Sequence, residues 1–222
     1  MDILPFHSAR GCNSYLVLEA ISGEAALIDP SQEIAHDVYL SALKERAATL
    51  RYIIETHTHA DHISSATEIR TITGAKIVRH RNAPSPHKDI VVEGGEQLPL
   101  GKAFLSLLAT PGHTNESISI HAAQAVFTGD VLLIGGTGRT DFQMGSSEAL
   151  YHSLHESLGT LPEDTIVYPA HDYKGRTSST IGSEKQTNPR FLLSHAAFLE
   201  TMEAHHPPKP ELFDEAMTAN TR

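Results

Sequence analysis

The sequence contains one cysteine, no tryptophan and no long uninterrupted run of apolar residues. With Cys12 alone, no disulfide can form within the chain, which is typical of a reducing compartment, and we expect Cys12 to be a small buried side chain. No segment approaches the ~18 apolar residues of a membrane-spanning helix. Met1 to Phe6 also lacks the basic and apolar regions of a signal peptide. We therefore expect a cytoplasmic protein with no membrane partner, although a processed organellar form would look the same.

Positive charge is scarce as well. The chain has 17 Lys and Arg against 27 Asp and Glu, a formal net charge of −10, and it has no run of basic residues. A nucleic-acid-binding surface requires clustered basic side chains, so we expect no nucleic-acid partner. A hydrophobic content of 40% with 20% charged residues is enough for a sizeable core. We predict a single domain over residues 1–222 with a short helical or irregular C-terminal tail.

Apolar runs and turn signals predict several elements. Tyr15–Leu18 and Ala25–Asp29, separated by Ser22-Gly23, predict an antiparallel hairpin. The spacing of apolar residues predicts one helix between Ile34 and Ala47 and others further along the chain. From His205 the chain is rich in proline, which predicts an irregular tail.

Histidine is abundant, with 15 residues, and it is concentrated in the segment Thr56–His62. This segment holds His57, His59, Asp61 and His62 directly after an apolar run that predicts a buried strand. On a helix, His57 and His59 would point about 200° apart, whereas an irregular turn can direct all four donors at one point. Chelation is the usual reason to crowd such groups, so this segment predicts a metal site.

Three further residues of the same chemical type each follow a strand-like run. They are His113, Asp130 and His171. Imidazole nitrogens and carboxylate oxygens without thiolate suit Zn, Fe(II) or Mn. Two histidines and one carboxylate with open positions are typical of non-haem Fe(II) oxygenases, while a fuller set that spans two metals is typical of hydrolases. The residues alone leave both chemistries open, and no G-x-S-x-G motif supports a serine nucleophile.

The order of these donors along the chain, His57-x-His59-x-Asp61-His62, His113, Asp130 and His171, closely resembles the metallo-β-lactamase superfamily. The resemblance covers nearly the whole chain. It implies an α+β fold, an αββα sandwich in which two mixed β-sheets pack face to face with helices on the outer faces. It also implies a metal site at one edge of the sandwich.

Within this superfamily the chain is most similar to the persulfide dioxygenases, also called sulfur dioxygenases. The similarity lies in Gly138-Arg139-Thr140-Asp141-Phe142-Gln143, Leu150-Tyr151-His152-Ser153, Tyr168-Pro169-Ala170-His171-Asp172-Tyr173 and Asn188-Pro189-Arg190. It implies one Fe(II) per chain, held by His57, His113 and Asp130. The groups that surround these ligands would be His59, Asp61, His62, His171 and Asp172. The implied reaction oxidises glutathione persulfide with O2 to sulfite and glutathione.

The alternative is a glyoxalase II-type dinuclear hydrolase of glutathione thioesters, because all the donors for a second metal are present. That family resembles a longer chain with a C-terminal helical substrate domain. Here only about fifty residues follow His171. The comparison favours the dioxygenase.

An acidic chain can bind glutathione, which carries two carboxylates, only if cations lie at the site. We expect Arg139 and Arg190 to contact the substrate, because a planar guanidinium can bind a carboxylate through two parallel hydrogen bonds. We expect Tyr173 to donate its hydroxyl hydrogen. A homodimer is compatible with these expectations.

Overall fold

The computed structural model describes residues 1–222 and contains two six-stranded mixed β-sheets. The strands are Asp2–His7 (β1), Asn13–Glu19 (β2), Glu24–Ile28 (β3), Thr49–Ile54 (β4), Lys76–His80 (β5), Ile90–Val92 (β6), Gln97–Leu100 (β7), Ala103–Ala109 (β8), Ile118–Ala122 (β9), Ala125–Gly129 (β10), Ile166–Pro169 (β11) and Ser179–Thr180 (β12). The first sheet runs in the order β1-β2-β3-β4-β5-β6, and the second in the order β12-β11-β10-β9-β8-β7. Pairing is parallel from β3 to β6 and between β10 and β11, and antiparallel elsewhere.

The structure has six α-helices, of which the first five cover the outer faces of the two sheets. They are His36–Glu45 (α1), Ala66–Thr73 (α2), Ser147–His152 (α3), Ile181–Thr187 (α4), His195–Glu203 (α5) and Phe213–Asn220 (α6). A π-helical turn, Ser153–Ser157, continues α3. Helices α1 and α2 pack on the first sheet, while α3, α4 and α5 pack on the second. The αββα sandwich implied by the resemblance is confirmed.

Strand β2 shows why the sheets form a rigid framework. Successive side chains of a strand point to opposite faces, so Tyr15 and Val17 enter the core between the sheets. Leu16 and Leu18 lie on the other face, in the core beneath α1 and α2. Every residue of β2 is buried, so sliding the strand by one position would exchange two packed faces.

The predicted hairpin is confirmed, since β2 pairs with β3 in antiparallel register, and β9 pairs with β10 in the same way. The prediction of an irregular tail is wrong beyond residue 212, because α6 forms there. Phe213, Ala216 and Asn220 lie at helical spacing on the face that α6 turns toward the rest of the protein, and Ala216 and Asn220 are buried. No helix of the structure combines the length and the apolar character needed to cross a membrane.

Gly112 gives a test of the contact between the second sheet and α3. Its φ is 143°, and a Cβ at this position would collide with the backbone of Leu150 in α3. We expect Gly112→Ala to lower the free energy of unfolding by about 2–4 kcal/mol, because strain and overpacking add. Gly74, with φ 73° and open space around it, is the matched control, and Gly74→Ala should cost about 1 kcal/mol. Denaturant unfolding in chelator-containing buffer measures both, and equal losses would contradict the proposed contact.

Candidate metal centre

His57, His113 and Asp130 meet at one point at the edge of the sandwich. Each follows the end of a strand, β4, β8 and β10 respectively, and the three donor atoms lie within 4.8 Å of one another. The distance from His113 Nε2 to Asp130 Oδ2 is 3.8 Å. Two ligand bonds of about 2.0–2.2 Å span up to about 4.4 Å. The spacing and the donor types therefore suit a single metal ion with nitrogen and oxygen ligands.

The hydrogen bonds around the two histidines leave the correct ring nitrogen free for a metal. Thr56 donates its hydroxyl hydrogen to Asp29 Oδ2 at 2.8 Å, so its oxygen accepts from His57 Nδ1 at 3.0 Å. His113 Nδ1 lies 2.7 Å from the backbone carbonyl oxygen of Arg139, which can only accept. Each ring therefore carries its hydrogen on Nδ1 and presents the lone pair of Nε2 to the centre.

Asp130 is held by His171 through its other oxygen. His171 Nδ1 donates to Asp130 Oδ1 at 2.6 Å, and His171 Nε2 lies 2.7 Å from Asp61 Oδ2. Burial alone would lower the pKa of His171, but the charges of Asp130 and Asp61 raise it well above its usual value. Burial would likewise raise the pKa of Asp130, and the neighbouring imidazoles, above all His171, hold it below its usual range. Asp130 is thus an ionised carboxylate whose Oδ2 faces His113.

The histidines at the start of the cluster are neutral. Burial, together with the neighbouring rings of His59 and His113, lowers the pKa of His57 well below its usual value. Burial and His62 lower the pKa of His59 to about 3. The Nε2 atom of His59 lies 3.2 Å from Asp29 Oδ1, and neither ring nitrogen of His59 has a hydrogen-bond partner. His59 belongs to neither group of converging donors.

A second group of donors lies next to the first. Cys12, Asp61, His62 and His171 bring their donor atoms within 4.8 Å of one another, and Cys12 Sγ lies 3.8 Å from Asp61 Oδ2. Cys12 is buried, as expected, but it faces this polar group, which the sequence reading missed. The group has the composition that a second metal ion would require. Asp172 takes no part in it, since its carboxylate accepts hydrogen bonds from Arg176 and from the backbone of residues 174 and 176.

A cavity of about 270 Å³ opens onto both groups of donors. His113, Asp130 and Asp61 lie on one side. Other walls are formed by residues 133–143, by Tyr173 and by residues 205–213. The lining residues there are Leu133, Thr137, Gly138, Arg139, Phe142, Gln143, Tyr173, His205, Pro207, Pro208, Pro210 and Phe213. His113 and Asp130 are therefore accessible to a small molecule from this cavity, whereas His57 is buried behind them.

The three side chains expected to bind substrate differ in their surroundings. Arg139 donates from Nε and Nη2 to Asp141 at 2.5 and 2.6 Å, and from Nη1 to the carbonyl of Pro208 at 2.9 Å, so its guanidinium is already engaged. Tyr173 lines the cavity and is 72% exposed. The Arg190 side chain is half-buried and makes no hydrogen bond or ion pair, and partial burial lowers its pKa.

Arg190 does not line the cavity, but its charge reaches a side chain that does. Burial, followed by the positive charges of Arg190 and Arg139, lowers the pKa of His205, which forms part of the cavity wall. Arg190 is consequently an unpaired cation whose charge acts on one side chain of the cavity wall. Its role and that of Tyr173 stay predictions.

Three residues that support the centre were not identified from the sequence. Asp29 directly follows β3 and accepts hydrogen bonds from the backbone N–H and the hydroxyl of Thr56, so the strand-end pattern that identified Asp130 could have identified it too. Gln143 donates from Nε2 to the carbonyl of Thr58 at 2.6 Å. Asn220, at the far end of the chain, donates to the backbone of the histidine-rich loop, which comprises residues 57–64. No local sequence pattern indicates such a contact.

Known proteins are similar to this chain in both sequence and fold. The family described as metallo-beta-lactamase superfamily matches residues 7–171. The mitochondrial persulfide dioxygenase ETHE1 of Homo sapiens is 42% identical over 213 residues, which cover 94% of this chain and 83% of that protein. The crystal structure of ETHE1 from Myxococcus xanthus superimposes with a TM-score of 0.96 at 40% identity, covering 100% of this chain and 98% of that one. The hydroxyacylglutathione hydrolase of Pseudomonas entomophila is 33% identical over 219 residues, 96% of this chain and 74% of that protein.

Metal content can distinguish the residues that bind the metal from His171, which orients one of them. We expect His57→Ala and Asp130→Ala to be purified without metal, because each removes one of three ligand atoms. His171→Ala removes the hydrogen bond to Asp130 and the contact with Asp61 but none of the three ligand atoms, so metal affinity should fall by about 10–100-fold while most of the metal stays bound. His121→Ala, which removes a half-buried imidazole in β9, is the control. Elemental analysis decides, and retention of full metal content in Asp130→Ala would contradict the assignment.

Proposed function

The chain belongs to the metallo-beta-lactamase superfamily and to its persulfide dioxygenase group, and from this premise we propose that it oxidises glutathione persulfide with O2. One water molecule balances the reaction, which gives glutathione and sulfite and leaves two protons on sulfite or in solvent. The observation that carries the proposal is the group His57, His113 and Asp130, which opens onto a cavity in a chain 42% identical to a persulfide dioxygenase.

We infer that the group holds one Fe(II). An Fe(II) held by His57, His113 and Asp130 would supply the redox chemistry that a reaction with O2 requires. The residues of this chain hold that arrangement in place. Thr56 and the carbonyl of Arg139 orient the two imidazoles, and His171 orients the carboxylate of Asp130. Hydrogen bonds that fix the ligand side chains reduce the reorganisation needed when the reactants bind.

The positive side chains near the rim are proposed to hold the glutathione part of the substrate. Arg190 has no partner of its own, so it can bind a carboxylate without first breaking an ion pair. Arg139 would have to release Asp141, so we assign it to shaping the wall and to attracting the anion. Tyr173 is the exposed hydroxyl donor on the wall.

A dinuclear hydrolase of glutathione thioesters is the competing function, favoured by the second group, Cys12, Asp61, His62 and His171. Two observations weigh against it. His171 already contacts both Asp130 and Asp61, so a second ion would have to displace one of these contacts. Hydroxyacylglutathione hydrolases are also only 33–37% identical to this chain, against 41–42% for the persulfide dioxygenases.

Oxygen consumption distinguishes the two functions. Protein loaded anaerobically with Fe(II) should consume O2 only when glutathione persulfide is added, and sulfite should accumulate in equal amount. Glutathione alone and S-lactoylglutathione are the control substrates, and Asp130→Ala is the control protein. Rapid hydrolysis of S-lactoylglutathione with no uptake of O2, together with close to two zinc ions per chain, would replace the dioxygenase by the hydrolase.

Arg190 can be tested by kinetics. Arg190→Ala should raise KM for glutathione persulfide about tenfold or more, the effect of losing a charged hydrogen bond of about 1.5–3 kcal/mol, while iron content stays normal. Arg51→Ala removes the same charge from an exposed position in β4 and should leave KM unchanged. An unchanged KM in Arg190→Ala would show that the glutathione carboxylates are bound by other groups.

A further inference from the structure

The last residue of α6 contacts the backbone of the histidine-rich loop. Asn220 is 6% exposed, and its Nδ2 donates to the carbonyl oxygens of His59 at 2.8 Å and of His62 at 2.9 Å. Its Oδ1 accepts from the N–H of Ser64 at 2.9 Å. One carboxamide thus satisfies three backbone groups on a segment about 160 residues earlier in the chain.

These three groups have no partner in regular secondary structure. Residues 55–65 form neither a helix nor a strand, and no backbone N–H donates to the carbonyl of His59 or His62. At its start the loop is held by Asp29 through Thr56 and by Glu116 through the N–H of Thr58. At its end the loop is held by the N–H of Gln32, which donates to the carbonyl of Ile63, and by Asn220. Of these supports, only Asn220 lies outside the sandwich, and only it contacts the carbonyls of His59 and His62.

The same C-terminal segment forms part of the cavity wall. His205, Pro208 and Phe213 line the cavity, and the ring of Phe213 packs against that of Phe142 with centroids 4.9 Å apart. The carbonyl of Pro208 accepts from Arg139. Residues 205–220 consequently join the wall of the cavity to the loop that carries the metal ligand His57.

We propose that Asn220 is a positioning residue for the metal centre, which sets the conformation of the loop 57–64 and couples it to the cavity wall formed by residues 205–213. The proposal rests on the metal-binding role of His57, His113 and Asp130, but it does not require that the metal be iron or that the reaction be persulfide oxidation. It predicts that metal binding and the order of α6 depend on each other, because coupling between two sites is reciprocal.

The first test measures metal affinity. Asn220→Asp keeps the size of the side chain and the acceptor for Ser64 but loses both donated hydrogen bonds, and Asn220→Ala loses all three. We expect both to weaken Co(II) binding about 10–100-fold in chelator competition, as for groups that orient ligands. The visible absorption of the bound Co(II) should also change. Thr218→Ala, on the exposed face of α6, should match the parent protein in both.

A purely structural role would give a different result. The variants would unfold at lower temperature, yet their folded fraction would bind Co(II) with the parent affinity and the parent spectrum. That outcome would overturn the proposal. Co(II) affinity is measured without substrate or O2. The result therefore tests the role of Asn220 even if the protein does not oxidise glutathione persulfide.

The second test uses the parent protein and does not depend on whether the variants fold. Adding Zn(II) to metal-free protein should slow amide hydrogen exchange at residues 216–220 of α6 by tenfold or more. Exchange in α1, on the outer face of the first sheet, should not change. Unchanged exchange in α6 at saturating Zn(II) would show that the two sites are not coupled and would overturn the proposal.

Discussion

The structure depends on compensating a set of polar and ionisable groups that are removed from water at one edge of the sandwich. The side chains of this set that are at most 3% exposed include His57, His59, His62, His171, Thr56, Asp29 and Cys12. Burying an unpaired ion costs several kcal/mol even after relaxation. The carboxylates of Asp130 and Asp61 therefore lie on either side of the His171 ring. Asp29 instead accepts a hydrogen bond from the hydroxyl of Thr56. The donor atoms that this network leaves free are those that a cation would satisfy.

The apolar framework makes this arrangement possible. Three hydrophobic cores, one between the sheets and one beneath each helical layer, hold the strands in register. The loops that follow β3, β4, β8, β10 and β11 therefore begin at fixed points along one edge. The C-terminal segment adds what the sandwich lacks, a wall for the cavity and a support for the histidine-rich loop. This segment also contacts Arg139 through the carbonyl of Pro208.

Much of the fold could be predicted from the chain because its signals are local. The hairpin of β2 and β3 follows from two apolar runs around Ser22-Gly23, and the position of each donor after a strand follows from the same patterns. The edge strand β1 was missed, since its residues are only partly buried and carry a weak apolar pattern. Helix α6 was missed because the prolines before it conceal a short helix whose buried face is completed only by the metal-binding loop.

By itself, the sequence determined the chemical nature of the centre. Crowded histidines and a carboxylate in turn-forming segments have few uses other than binding metal, and their order along the chain identified the superfamily. Only the tertiary structure decided how the donors divide. It places His57, His113 and Asp130 in one group, directs His59 toward Asp29, engages Arg139 with Asp141 and leaves Arg190 unpaired. These outcomes depend on distances of a few ångströms between residues far apart in sequence, and such distances are set by how the sheets, loops and C-terminal helix pack together, which no local pattern encodes.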